Sequence, residues 1–159
     1  MIVLHSQEFL EKSYQLFLNG FRAQLDRGSR VARGFADLGF EEFYLTSSDC
    51  MVSILSGEQL PFSTADKDLF PLLSSDELIA EVHRHGVDIQ SVDFIEQRNW
   101  SIEAMHTGSD RQSRVVNVSL ECALLDTLEF ALQSNELVKV ANVESVSYTH
   151  LTLPTIVDV

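Results

Sequence analysis

Residues 78–97 read LIAEVHRHGVDIQSVDFIEQ, and the period assigned to them decides the fold. Ser75 is placed to cap a helix through Asp76, Glu77 and Leu78, with Ile79, Val82 and His83 following before Gly86. Val82 stands four residues before the glycine and Val87 directly after it. Val92 and Ile95 then take spacings that suit the core positions of a second helix, over Ile89–Arg98. A helix, a glycine at a tight turn and a second helix at fixed offsets are the parts of a helix-turn-helix. The expectation is a helix-turn-helix at 75–98, although any helical hairpin with a glycine corner would match as well.

Upstream of this stretch, Ser6 can cap a helix that has Glu8 in its first turn. Phe9, Ser13, Leu16, Phe17, Gly20, Phe21 and Leu25 recur at three- and four-residue intervals, which predicts a helix over 7–26. Gly28 and Ser29 interrupt it. Val31, Ala32, Phe35 and Leu38 predict a second helical piece over 29–38, closed by Gly39. Cys50–Leu55 suits either a capped helix or a buried strand, and Leu60-Pro61-Phe62 reads as extended chain. Asp66–Leu73 reads as a short helix. Downstream, the polar HTGSDRQS between Asn99 and Arg114 is the best linker in the chain. Leu120, Ala123, Leu124, Leu128 and Ala131 form one face of a helix within 115–138. The expected fold class is mainly α, a single helical domain over 1–144 with a polar linker at 99–114. The alternative is α+β, with short strands near 50–63 and 115–118.

Residues 146–155 read VSYTHLTLPT, the translation of GTC TCT TAT ACA CAT CTG ACG CTG CCG ACG. That string is similar to a transposase mosaic end followed by a sequencing adapter. Residues 145–159 are therefore expected to be a non-native tail, with the natural C-terminal sequence replaced. The competing reading is a genuine C-terminal strand through Tyr148, Leu151, Leu153, Ile156 and Val157.

The 159 residues carry a net charge of −13 and 45% hydrophobic side chains. Asp158 is the one charge in the suspect tail, so the body carries −12. Such a balance argues against gripping nucleic acid by general electrostatics, which needs clustered Lys and Arg. It favours a basic partner or membership of a complex. No apolar run approaches the roughly 18 residues of a spanning helix, and MIVLHS lacks the basic start of a signal peptide. No membrane contact and a cytoplasmic location are expected. Cys50 and Cys122 stand apart and read as small buried hydrophobes.

Four of the eleven bases, Arg22, Arg27, Arg30 and Arg33, lie within twelve residues. On a continuous helix Arg22, Arg30 and Arg33 would share a face, and all four with Arg27 are the candidates for phosphate or partner contact; the competing reading is a solvated face with local ion pairs. Arg111 and Arg114 form a smaller pair. In the second helix of the helix-turn-helix, Gln90, Gln97, Arg98 and Asn99 are of the types that reach base edges. Asp88, Asp93 and Glu96 would bring three carboxylates toward a duplex, so a protein contact is an equal use of that element. His83 and His85 are two apart and cannot clamp a metal from one helix face. His5 and His106 have no spaced partner. No nucleotide-binding or nucleophile motif is present, and no enzyme activity, metal or cofactor is expected.

Residues 13–70 contain SYQLFL, then ADLGF, then LTSSDCMVSILSGEQLPF. This order of features resembles FlhD-like helical transcriptional regulators. The resemblance covers about a third of the chain and rests on short apolar motifs. It implies an all-α, dimer-forming regulator that needs a protein partner for strong DNA binding. The function expected is thus a partner-dependent transcriptional regulator of prokaryotic or mobile-element origin. A protein partner, DNA through a complex, and self-association are expected with it. The alternative is an acidic interaction protein, such as a toxin immunity protein or a DNA-mimic inhibitor.

Overall fold

The chain is α+β, with 35% of it helical and 35% in strands arranged as two antiparallel sheets. This overturns the mainly α expectation. The computed structural model describes residues 4–35 and 39–158, and side chains as far as residue 142. The side chains of the suspect tail at 145–159 therefore lie outside the described residues, as does Leu38. The elements are α1 (Gln7–Leu18), β1 (Arg30–Phe35), β2 (Gly39–Leu45), β3 (Cys50–Ser53), β4 (Gln59–Pro61), β5 (Leu69–Leu72), α2 (Ser75–Arg84), β6 (Val87–Ile95), β7 (Asn99–His106), β8 (Gln112–Asn117) and α3 (Leu120–Asp158). They fall into two compact units, Met1–Leu78 and Ile79–Val159.

In the first unit, α1 starts where Ser6 Oγ accepts the Phe9 N–H at 3.2 Å. It is shorter than the 7–26 expected because Gly20 turns the backbone to a φ of 101°. Gly20 N–H then donates to the Phe17 carbonyl and Phe21 N–H to the Leu16 carbonyl, at 3.1 and 3.0 Å. That pair of bonds closes the last turn, and buried Phe21 packs back where the helix would have continued.

The five strands run in the order β4-β3-β2-β1-β5, all antiparallel. The expected 29–38 helix is β1, and the expected 66–73 helix is β5. Both faces of this sheet are covered, so apolar residues do not alternate and the strand period is hidden. On one face α1 lays Tyr14 against Phe40 and Phe70, with ring centroids 5.8 and 5.3 Å apart. The other face buries Val31, Phe43, Leu45, Met51, Phe62 and Leu69 as one cluster.

Glu42 is the exception on the α1 face, a carboxylate only 4% exposed. His5 reaches it twice, through its backbone N–H at 2.9 Å and its Nδ1 at 2.7 Å, and Arg30 adds an ion pair. An ionised carboxylate only accepts, so His5 Nδ1 carries the hydrogen. Burial acts to raise the Glu42 pKa, but the hydrogen bonds and charge of His5, then Arg30, outweigh it and hold the group below 4.5. A group held low contributes stability above its unfolded pKa and loses it as pH falls through the folded value. Glu42→Gln is expected to lower unfolding free energy by roughly 2 kcal/mol near neutral pH. Urea titrations should show that difference shrinking as pH falls below 4.5; a gap that ignores pH would contradict the assignment.

α2 is capped by Ser74, one residue before the expected Ser75: Ser74 Oγ accepts the Glu77 N–H at 3.3 Å and the Glu77 carboxylate accepts in return from Ser74. In the second unit Gly86 turns the chain at a φ of 84°, at the expected position. The helix-turn-helix ends there. Val87–Ile95 is strand β6, not a recognition helix, and it pairs antiparallel with β7. The expected 99–114 linker is mostly β7 and β8, which complete a three-stranded sheet ordered β6-β7-β8. Ser119 caps α3, its Oγ accepting the Cys122 N–H at 3.2 Å. α3 packs on β7 and β8, and its Cys122, Ala123, Leu124, Leu128 and Ala131 are all buried. The helical face expected from Ala123 onward is present, and residues 112–117 before it are strand.

Candidate protein-interaction surface

The arginines chosen from the sequence are separated by the fold and mostly used within it. Arg22 donates to the Phe17 and Phe21 carbonyls at 2.9 and 2.8 Å, and its guanidinium stacks 3.9 Å from the Phe17 ring centroid. It therefore closes the end of α1. Arg30 and Arg33 stand three apart on a strand and so project from opposite faces of β1. Arg30 pairs with Glu42, and Arg33 pairs with Asp66 at 2.9 Å. Arg27 is exposed in the turn before β1. The shared basic face required a helix, and the strand abolishes it.

Gln90, Gln97, Arg98 and Asn99 meet a different geometry from a recognition helix. Gln90 sits at a β-bulge, where the β6–β7 register shifts between Ile89 and Ser91. Gln97 and Arg98 form the tip of the β6–β7 hairpin at φ values of 65° and 59°, both exposed. Left-handed backbone at two adjacent non-glycine residues is a strained tip. Asn99 opens β7 opposite Ile95. None of the four presents from an α-helix, so the recognition helix expected over Ile89–Arg98 is absent.

What the hairpin does present is an apolar strip and an acidic strip on one strand. Val87, Ile89, Val92 and Phe94 pair with His106, Ala104, Ile102 and Trp100, which places all four on the face that α3 covers over β7 and β8. The covering stops short of the outer end of β6. Val92 is 41% and Phe94 61% exposed, and Trp100 lies beside Phe94 with centroids 5.1 Å apart and the rings tilted by 56°. Burying on the order of 100 Å² of remaining Phe94 surface in a complex would contribute roughly 2.5 kcal/mol. On the other face, Asp88, Asp93 and Glu103 are exposed, with Glu96 at the hairpin tip. Arg114, opposite Glu103, is turned to the Ser101 hydroxyl at 3.3 Å. The sequence reading missed Val92, Phe94 and Trp100 as surface residues. Their signal was the polar–apolar alternation in VDI and again in SVDFI, each of period 2.

A buried polar series lies elsewhere in this unit. Asn135 on α3 donates its Nδ2–H to the His85 carbonyl at 3.0 Å, which turns its Oδ1 toward His106 Nε2 at 2.7 Å. Nε2 must then carry the ring hydrogen, and Nδ1 accepts the Ser109 hydroxyl at 2.8 Å. His106 is 3% exposed, and Gly108 is needed beside it because a Cβ there would meet Cε1 at 3.2 Å. Both ring nitrogens are satisfied internally, so the series joins α3 to the β7–β8 turn. Burial and then Arg84 hold the His85 imidazole below its ordinary pKa, against the pull of Glu81, which keeps it neutral near pH 7. Among the described residues no three His, Cys, Asp or Glu side chains group as a metal site. No helix among them is long and apolar enough to cross a membrane. Cys122 is buried and Cys50 half-buried, both as free thiols.

Comparison with protein-family models, curated proteins and solved structures finds no match to the chain. The all-α fold implied by the FlhD resemblance is not the fold of the chain. Asn135→Leu is expected to cost about 1–3 kcal/mol, because it removes the acceptor of the buried His106 Nε2–H and a donor to the His85 carbonyl. Thermal unfolding measures this directly, and a neutral substitution would show that the series does not hold α3 in place.

Proposed function

We propose that this chain is an acidic interaction protein that occupies a basic surface of a partner protein. The observation that carries the reading is the unequal use of its charges. Arg22, Arg30 and Arg33 are engaged by carbonyls or carboxylates within the chain. Carboxylates such as Asp76, Asp93, Glu96 and Glu103 stand exposed. A net charge of −13 steers such a surface toward cationic partners and away from phosphate. Complementary charge of this kind sets partner choice and association rate. An immunity protein or a DNA-mimic inhibitor is the class that works in this way. The transcription-regulator expectation loses one of its supports, the recognition helix, since residues 87–95 are a strand.

Affinity purification of the full chain from the organism that encodes it tests the proposal. The expected product is a complex with a protein of pI above about 9, free of nucleic acid, whose affinity falls as salt rises. Recovery with RNA polymerase or with bound DNA would contradict it.

A further inference from the structure

We infer that the outer edge of β6 binds an extended segment of a basic partner as a fourth strand, in which apolar side chains alternate with lysines or arginines. The inference rests on the reading of the chain as an acidic interaction protein and names what that surface holds. Three features point to it.

First, β6 is the last strand of its sheet, so half of its backbone N–H and C=O groups are directed away from β7. Natural edges are commonly blocked by charged side chains, above all lysine, by proline or by bulges; the charges on β6 are Asp88 and Asp93, which repel an acidic strand and admit a cationic one. β6 has neither lysine nor proline, and its bulge at Gln90 leaves Ser91–Ile95 in regular register. A strand added there gains main-chain hydrogen bonds of the kind used in β-augmentation.

Second, the side chains specify the newcomer. Residues opposite one another on adjacent strands share a face and interact directly. Val92 and Phe94, with Trp100 behind them, call for apolar partners on one face. Asp93, with Glu103 on the next strand, calls for a cation on the other. Only a strand alternating between apolar and cationic residues meets both.

Third, a second copy of this chain is a poor occupant. It would bring another −13 to the interface, and antiparallel self-pairing centred on Asp93 would set that carboxylate against itself.

Trp100 is the single tryptophan of the chain and lies within the strip, so its emission reports occupancy. The probe is a short synthetic peptide of alternating Lys and Val, titrated into the full chain beside its Glu–Val counterpart. The expected result is a saturable blue shift with Lys–Val and none with Glu–Val. Calorimetry on Phe94→Ser, an exposed position that the fold does not need, should show binding weakened by about tenfold or more. An equal response to both peptides would overturn the inference. So would a shift that grows with the chain's own concentration without peptide, which would identify a second copy as the occupant. Heat of binding without any Trp100 change would place the basic partner elsewhere, overturning this site while leaving the proposed function standing. Neither heat nor shift would overturn both.

Discussion

One inserted residue in β6 governs how the second unit is built. Side chains on a strand alternate between faces, so a run of nine residues can keep its apolar members together only if the alternation holds throughout. Here Val87 and Ile89 are followed by Val92 and Phe94, an odd step that would send the second pair to the opposite face. The bulge between Ile89 and Ser91 absorbs the extra residue and returns both pairs to one side. Without it, either Val87, 1% exposed and opposite His106, or the Val92–Phe94 pair would point away from the core. The bulge thus lets one strand seal the core at its start and carry an exposed aromatic strip at its end.

The same residue explains why the fold was hard to read. Spacings of two, three and two across 87–94 approximate the rhythm of a helix face, and Gly86 supplied a credible corner. Much else was legible. The Ser6 cap, the start of α2 to within one residue, the Gly86 turn, the apolar face of α3 from Ala123 and the strands near 50–63 were all written in local chemistry. The stop of α1 was legible too, in Asn19–Gly20 before an apolar residue, but the continuing apolar period at Phe21 and Leu25 outweighed it. β1 and β2 were hidden for another reason. Ala32 faces α1 while Val31 faces the second cluster, so the pair reads as consecutive apolar residues with no period at all.

The candidate site was less legible than the fold, and the reason is again geometric. Four arginines close in sequence are close in space on a helix, but a strand sends Arg30 and Arg33 to opposite faces. There each meets a carboxylate brought from elsewhere in the chain, Glu42 from β2 and Asp66 from the loop before β5. No local pattern announces such pairs. Each pair uses one acid with one base, so the acidic excess that composition already implied is unchanged while fewer cations remain free to offset it. The edge of β6, with its carboxylates on one side and aromatic rings on the other, is where that excess meets exposed apolar surface.

The central claim is that residues 87–95 form an edge strand with a bulge at Gln90. Residue-resolved NMR tests it most directly, by backbone chemical shifts and amide exchange over this segment. The account predicts strand shifts throughout, a local deviation at Gln90, and alternation between slow amides bonded to β7 and fast ones facing outward. Uniform helical shifts with continuous protection from Ile89 to Arg98 would contradict it and restore the helix-turn-helix.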